Sequence, residues 1–299
     1  MGTVNVLDAD AVGDALPPDR VLEAVRVAFA ALGAGRAVQP PQTVLPLSTG
    51  GDAIVYAAAN EDAGLFGVKI SPYLPQPSGG AVVTAWTLLV STTTGAPVLL
   101  CDAGALTAQR TAATTALAID LLAPAEASTL AIVGAGPLAR AHLAHARVVR
   151  PFADVRVYSR SGAGLGDGVT AARSADAAAE GADVVLLCTS AAAPVLDVTR
   201  LAPGTLVTSI STNAPRAHEI DPAALGGLDV YCDHAPSALR AAGELLLATE
   251  AGSWSADAMR GDLAGLLGGG AAPPSGDRPV FFRSIGLGLE DIAIAGLLA

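Results

Sequence analysis

Leu-Ala-Ile-Val-Gly-Ala-Gly-Pro-Leu-Ala-Arg, residues 130–140, is the stretch that decides the fold. A short apolar run ends at Gly134, and Gly136 and Ala139 follow it in the G-x-G-x-x-A spacing. Gly134 permits a sharp turn, Gly136 permits the backbone to approach a pyrophosphate, and Ala139 permits close packing of a helix on the strand. Because that helix presents its N–H groups and the positive end of its dipole, the stretch predicts a dinucleotide-binding βαβ unit.

The next strand ends in a sequence that bears on the choice of dinucleotide. Residues 155–158, Val-Arg-Val-Tyr, run into Ser159-Arg160-Ser161, where an NAD site usually carries a carboxylate for the ribose 2′-hydroxyl. A guanidinium matches phosphate oxygens with two parallel hydrogen bonds, so the sequence predicts that NADP(H) is preferred over NAD(H). The alternative is that Arg160 is a solvated loop charge. The residues expected to line the cofactor site here are Gly134, Gly136, Pro137, Leu138, Ser159, Arg160, Ser161, Cys188, Thr189 and Ser190.

Composition excludes several classes of protein. The chain has 299 residues, of which 52% are hydrophobic and 15% charged, as expected of a globular protein large enough for two cores. A formal net charge of −11 argues against binding to nucleic acid or to an anionic membrane. The first ten residues do not read as a signal peptide, and no run of about 18 strongly apolar residues is present. A cytoplasmic location is therefore expected.

The cysteines and histidines do not suggest a metal site. Cys101, Cys188 and Cys232 are far apart, each in or beside an apolar run, which predicts buried thiols and neither disulfides nor metal ligands. His142 and His145 have i, i+3 spacing but no third ligand nearby, so they are predicted to lie on the polar face of a helix. The sequence predicts no bound metal.

Two patterns of secondary structure follow one another along the chain. Residues 21–32 predict a helix, and short β-rich runs between residues 38 and 101 predict an antiparallel sheet. Strands and Ala-rich helices then alternate over residues 130–233, which is typical of a doubly wound parallel sheet. A last strand over 279–283 and a last helix over 289–298 follow. The predicted fold class is α/β, a Rossmann-type doubly wound nucleotide-binding domain plus a split α+β domain.

Over nearly its whole length the chain resembles the ornithine cyclodeaminase/mu-crystallin family. The segments that carry the resemblance are residues 68–71, 94–97 through 106–113, 132–136 and 283–291. The Leu-Thr-Ala-x-Arg-Thr-Ala-Ala run at 106–113 is the most specific of them. The resemblance implies a substrate-binding and dimerisation domain made of residues 1–117 and 278–299, and a nucleotide-binding domain made of residues 118–277. It also implies a homodimer.

The resemblance further implies roles for individual residues. Lys69 and Arg110 match the family's carboxylate-binding positions, and Lys69 is also a candidate proton source for an imine nitrogen. The alternative for this pair is two solvated surface cations. The remaining positions implied by the resemblance are Thr111, Ser284 and Gly286 for the cofactor, Gln42 for the substrate and Asn213 for catalysis.

Two of these positions depart from the family pattern, and they shape the predicted function. Gln42 stands where the family commonly has an arginine, and Asn213 stands where cyclodeaminases have an aspartate, although Asn213 also suits a turn before Pro215. Asparagine cannot accept a proton, which disfavours cyclodeamination. The resemblance therefore implies an NAD(P)H-dependent oxidoreductase acting on CH–NH or CH–NH2 groups, reducing a cyclic ketimine or other imino acid to the amine. The alternatives are an ornithine or lysine cyclodeaminase and a catalytically silent NADP-binding protein.

Overall fold

The computed structural model describes residues 4–12, 16–48, 50–210 and 216–299. The strands are β1 (Asn5–Leu7), β2 (Ala37–Val38), β3 (Thr43–Pro46), β4 (Asp52–Asn60), β5 (Leu65–Pro75), β6 (Ala81–Val83), β7 (Trp86–Ser91), β8 (Pro97–Asp102), β9 (Thr129–Val133), β10 (Asp154–Tyr158), β11 (Thr170–Ala171), β12 (Val184–Leu187), β13 (Leu206–Ser209), β14 (Asp229–Cys232), β15 (Met259–Asp262) and β16 (Val280–Arg283). The α-helices are α1 (Ala9–Val12), α2 (Pro18–Gly33), α3 (Gly104–Leu122), α4 (Pro137–Val149), α5 (Ala175–Ala179), α6 (Ala235–Ala241), α7 (Gly243–Glu250), α8 (Leu263–Leu267) and α9 (Gly288–Ala295).

The strands form two sheets of different kinds. The first has the order β1-β8-β7-β5-β4-β2, with β3 beside β4 and β6 beside β5, and its pairs are antiparallel except β1 with β8. The second has the order β11-β10-β9-β12-β13-β16-β14-β15, and every pair is parallel. The predicted fold class, a Rossmann-type sheet with a second α+β part, is confirmed. The strand order reverses at β9, the switch point at which ligands bind in such sheets.

Contacts divide the chain into two compact units, Met1–Arg110 with Leu287–Ala299, and Thr111–Gly286. The bounds inferred from sequence placed residues 278–286 with the first unit. In the structure β16 pairs with β13 on one side and β14 on the other, so this segment completes the parallel sheet. The other boundary falls within α3 in both descriptions. The assignment of a substrate role to one unit and a cofactor role to the other stays a prediction.

Helix α4 buries the face that carries its two histidines, although the sequence predicts that this face is polar and exposed. It begins with Pro137 at its first position, and it buries Ala139, Leu143 and Ala146 together with both of its histidines. The prediction that His142 and His145 lie on a polar face is therefore wrong. Burial lowers the pKa of each imidazole to about 4, so each is a neutral core residue at pH 7.

His142 bonds within α4 through one ring nitrogen and to α3 through the other. Its Nδ1 lies 2.7 Å from the Leu138 carbonyl oxygen, which can only accept, so Nδ1 carries the proton. Its Nε2 then accepts from the Thr115 hydroxyl at 3.1 Å. Burial of His142 in the core of α4 thus depends on one hydrogen bond within the helix and one to the preceding helix α3.

Among the residues that the structure describes, no helix combines the length and apolar character needed to cross a bilayer.

Candidate active site

A cavity of about 760 Å³ lies at the carboxyl ends of β9, β10 and β12, within the second unit. Its lining includes all ten residues that the nucleotide fingerprint and its neighbouring strands predict: Gly134, Gly136, Pro137, Leu138, Ser159, Arg160, Ser161, Cys188, Thr189 and Ser190. Three separate strand ends supply them, because the parallel register brings these ends to one edge of the sheet. The structure therefore gathers this predicted set into one concave surface.

The two glycines of the fingerprint have different physical reasons. Gly134 has φ +121°, and a Cβ there would lie 2.3 Å from the carbonyl oxygen of Cys188, so the turn excludes every side chain. Gly136 has φ −76°, and a Cβ there would meet nothing within 4 Å. Gly136 is the N-cap of α4, where no side chain caps the free N–H groups. Open space beside uncapped N–H groups fits a pyrophosphate.

The loop after β10 is held by its own serines. Ser159 Oγ donates to the Ala163 carbonyl at 2.8 Å, and Ser161 Oγ accepts from the Ala163 N–H at 3.3 Å. Arg160 lies between them, exposed, on the cavity lining. The described residues that line this cavity include no carboxylate. The lining therefore carries a cation directly after the second strand of the nucleotide fingerprint, where dinucleotide-binding sheets usually carry the residue that contacts the ribose 2′-substituent.

A buried carboxylate that sequence reasoning missed holds the loop after β12. Oε1 of Glu219 accepts from the backbone N–H of Thr189 at 3.0 Å and from its hydroxyl at 2.7 Å. Oε2 accepts from the Ser209 hydroxyl at 2.8 Å, and Glu219 is fully buried. The Thr189 hydroxyl also accepts from the Ala191 N–H at 3.1 Å. Glu219 thus fixes the shape of the cavity wall at Thr189.

Ser284 and Gly286, which the resemblance implies for the cofactor, are held by a second buried carboxylate. Oδ2 of Asp233 accepts from the Ser284 hydroxyl at 3.1 Å and from the Gly286 N–H at 2.9 Å. Gly286 has φ +83°, which suits glycine in this turn. Neither residue lines the cavity of the nucleotide fingerprint. In the structure, the Ser284 hydroxyl and the Gly286 N–H both donate hydrogen bonds to Asp233.

Four charged side chains form a buried cluster in the first unit, which we call the cation–carboxylate cluster: Lys69, Arg110, Glu290 and Asp291. Nζ of Lys69 lies 2.9 Å from each carboxylate oxygen of Asp291. Nε of Arg110 lies 3.2 Å from Oδ1 of Asp291, and its Nη1 donates to Oε2 of Glu290 at 2.9 Å. Each member is at least nine-tenths buried. The alternative of two solvated surface cations is therefore excluded.

Local structure explains how these side chains meet. Lys69 is on β5 and faces the same side of the sheet as its direct partner Tyr56 on β4, whose ring centroid is 4.5 Å from Nζ. Both carboxylates come from the first turn of α9. Gly288 begins that helix, and a Cβ there would lie 2.7 Å from the Ala57 carbonyl oxygen. Glycine thus lets α9 approach β4 closely enough for its carboxylates to reach the cations.

The electrostatics of the cluster differ for its two cations. Burial lowers the pKa of Lys69 to about 8, and the Asp291 carboxylate offsets part of that fall. Burial also acts to lower the pKa of Arg110, but Asp291 and Glu290 outweigh it, so its pKa lies above the ordinary value. Arg110 is therefore a permanent cation, whereas Lys69 can lose a proton near neutral pH.

Besides the family resemblance, the composition of the chain contains a second signal for Lys69, which the sequence analysis did not use. Of the 17 lysine and arginine residues, Lys69 is the only lysine. An arginine cannot release its proton in a protein, and a lysine can. The only lysine of the chain is therefore a buried residue, and its pKa is lowered to about 8.

The remaining predicted residues have less defined environments. Thr111 is buried on α3 directly after Arg110. Gln42 is partly exposed just before β3. Asn213 lies outside the described residues. Another glutamine has a defined contact, since Oε1 of Gln39 accepts from the Leu289 N–H at 2.9 Å and so caps the first turn of α9.

Comparisons with known proteins agree with this description. The sequence profile of the ornithine cyclodeaminase/mu-crystallin family matches residues 3–298. The chain is 50% identical over 287 residues to the NAD(P)H-dependent anabolic L-arginine dehydrogenase DauB of Pseudomonas aeruginosa, covering 93% of this chain and 91% of that protein. It is 30% identical to ketimine reductase mu-crystallin of Mus musculus, covering 95% of this chain and 90% of that protein.

A solved structure shows the same architecture. The Δ1-pyrroline-2-carboxylate reductase of Thermococcus litoralis, solved in complex with NADH and L-proline, superposes with a TM-score of 0.88 at 25% identity. The match covers 98% of this chain and 96% of that chain. The sequence profile and the 50% identical relative each span more than nine-tenths of the chain. The chain therefore belongs to the ornithine cyclodeaminase/mu-crystallin family.

Proposed function

We propose that this protein is an NAD(P)H-dependent oxidoreductase that interconverts a 2-imino acid and the corresponding 2-amino acid. The observation that carries the proposal is that Lys69 and Arg110 are buried together and held by Asp291 and Glu290, because an ammonium and a guanidinium at one site suit an anionic substrate group such as a carboxylate. Membership of a family whose named relatives include an L-arginine dehydrogenase and a ketimine reductase supports it. The cavity at the carboxyl edge of the parallel sheet supports the proposal, because ligands of such sheets bind at this edge.

The residues divide the chemistry between them. When bound, NAD(P)H supplies the hydride that reduces the imine carbon. Arg110 holds the substrate carboxylate with its planar guanidinium, and Lys69 adds a second positive charge. As the carbon is reduced, Lys69 gives the proton that the imine nitrogen requires, so that the amine forms and Lys69 becomes neutral. Solvent then returns a proton to Lys69.

The relatives suggest which substrates to test first. The 50% identical protein is named for L-arginine, whereas the mouse and Thermococcus proteins are named for a ketimine and a cyclic imino acid. A linear imine forms from the 2-keto acid of arginine with ammonia, and Δ1-pyrroline-2-carboxylate is a cyclic one. We propose the arginine-derived imine as the first substrate, because identity to that relative is highest among these three.

The test of this function is oxidation of NADPH and NADH followed at the nicotinamide absorbance, with both imines and with a cyclic imine that lacks the carboxylate. Turnover of a carboxylate-bearing imine, and none of the matched imine without it, is the expected result. If none of these imines causes NADPH or NADH oxidation while NADPH still binds, the proposal is overturned in favour of a binding protein. Ammonia release from ornithine with a catalytic amount of cofactor would instead indicate a cyclodeaminase.

We propose that the cofactor is NADP(H) in preference to NAD(H). Replacement of Arg160 by alanine is expected to raise the KM for NADPH about tenfold or more and to leave the KM for NADH nearly unchanged, because only NADPH carries the 2′-phosphate. Arg140→Ala is the matched control, since Arg140 is exposed on α4 outside the cavity and its loss changes the net charge equally. Equal effects of Arg160→Ala on both cofactors would contradict this preference.

We also propose that the protein is a homodimer, formed through the outer face of the antiparallel sheet. Phe66, Ile70 and Trp86 are 42%, 43% and 39% exposed, and Ile70 is the direct partner of Trp86 across β5 and β7. Contiguous exposed apolar side chains of this size favour a partner surface. Ile70→Lys is expected to give a monomer in sedimentation at micromolar concentration. Val148→Lys, at a residue 43% exposed on α4, should stay dimeric. A wild-type monomer would contradict the proposal.

The cytoplasmic location stays a prediction.

A further inference from the structure

Asp291 contacts both cations of the cation–carboxylate cluster, whereas the described contact of the other carboxylate, Glu290, is with Arg110. Both of its oxygens lie 2.9 Å from Nζ of Lys69, and one of them lies 3.2 Å from Nε of Arg110. Glu290 pairs with Arg110. Two adjacent residues of α9, similarly buried, thus differ in whether they contact the lysine, and this difference offers a built-in control.

The surroundings of Lys69 decide the state of its amine. The titratable and charged groups facing it are Asp291 and Glu290 from α9, Arg110 from α3 and Tyr56 from β4. Burial and the nearby Arg110 both favour loss of the proton. The Tyr56 ring face and the carboxylates favour the ammonium form, and Asp291 is the carboxylate in contact. Among the groups that favour the ammonium form of Lys69 against the effect of burial, Asp291 therefore acts most strongly.

We propose that Asp291 is a positioning residue that keeps Lys69 protonated and directs its ammonium group during imine reduction. This inference rests on the proposed function. In the step it serves, the N–H bond at Lys69 breaks and a new N–H bond forms at the substrate nitrogen while hydride adds to the carbon. Asp291 keeps its carboxylate throughout, and its contact with Arg110 holds it in place when Lys69 becomes neutral.

The test compares Asp291→Asn with Glu290→Gln. Each change removes one buried negative charge and preserves side-chain shape, but only the first removes a charge in contact with Lys69. Asp291→Asn is expected to move the basic limb of the kcat/KM pH profile to lower pH by about one unit or more, because the charge that favours the ammonium form is gone. Glu290→Gln is expected to move it by less than about half a unit.

A second readout does not depend on turnover. Because Lys69 is the only lysine, protein labelled with [ε-13C]lysine gives one lysine side-chain NMR signal whose titration reports this amine alone. The midpoint is expected to fall by about one unit in Asp291→Asn and to change little in Glu290→Gln. Equal midpoints in wild type and Asp291→Asn, or equal falls in both variants, would overturn the inference. Failure of the proposed function shows separately, as a wild-type protein without turnover whose lysine still titrates.

A charge-conserving variant separates position from charge and also serves if Asp291→Asn does not fold. Asp291→Glu keeps the negative charge but moves it by one methylene. Its Lys69 midpoint is expected to stay within about half a unit of wild type, while kcat falls about tenfold, because the ammonium group is misdirected. An unchanged kcat in this variant would overturn the positioning role.

Discussion

Replacement of Lys69 by arginine is expected to lower kcat about a thousandfold while NADPH binding stays unchanged, because general acid catalysis at this position contributes on that order. Arginine keeps the positive charge beside Asp291, so the substrate carboxylate and the fold both retain a cation. What it cannot do is release a proton, since its pKa is far above neutral in proteins. Steady-state kinetics at pH 7, together with an NADPH fluorescence titration, measures both quantities.

The same substitution discriminates between the two roles proposed for Lys69. If the residue serves only as a charge for the carboxylate, Lys69→Arg keeps most of its kcat and changes KM. Lys69→Met is less informative, because it leaves Asp291 with one cation fewer in a buried site and is expected to lower the free energy of unfolding as well. Arg140→Lys, at an exposed helix position, controls for a general effect of exchanging the two basic residues.

The nucleotide cavity could be predicted residue by residue because its information is local. A glycine pattern between an apolar run and a helix fixes the turn at Gly134, and parallel strands bring Ser159 and Thr189 to the same edge. Nothing beyond the strand order is needed to collect these residues. The Rossmann-type part of the fold follows from the same alternation of strands and helices.

The partners of the predicted residues could not be predicted, because they lie far away along the chain. Local sequence patterns do not show which distant segments come into contact. Lys69 and Asp291 are 222 positions apart, and Thr189 and Glu219 are 30 apart. The burial of His142 was missed for a related reason, since its partner Thr115 comes from another helix. An apolar pattern predicts which face of an element is buried, but it does not predict a polar side chain that is buried because it finds a hydrogen bond there.

The two glycines of the fingerprint are expected to separate the stability of the fold from its binding function. Gly134→Ala is expected to lower the free energy of unfolding by about 3 kcal/mol, because φ +121° is unfavourable for a side chain and the new methyl group would overlap the Cys188 carbonyl. Gly136→Val is expected to change it by about 1 kcal/mol at most, because the backbone is extended and the side chain meets open space. Denaturant unfolding measures both.

At Gly136 the expected effect on dinucleotide binding is large, although the expected effect on stability is small. The valine side chain would occupy the space beside the N-terminus of α4, so NADPH is expected to bind about 100-fold more weakly, as losing hydrogen bonds to a charged group costs roughly 3 kcal/mol. A folded Gly136→Val protein with unchanged NADPH affinity would mean that the pyrophosphate lies elsewhere. A Gly134→Ala protein that kept both stability and affinity would mean that the strand can move away from Cys188. Together the two variants test separately whether the turn is built for the fold and whether the space beside it is built for the cofactor.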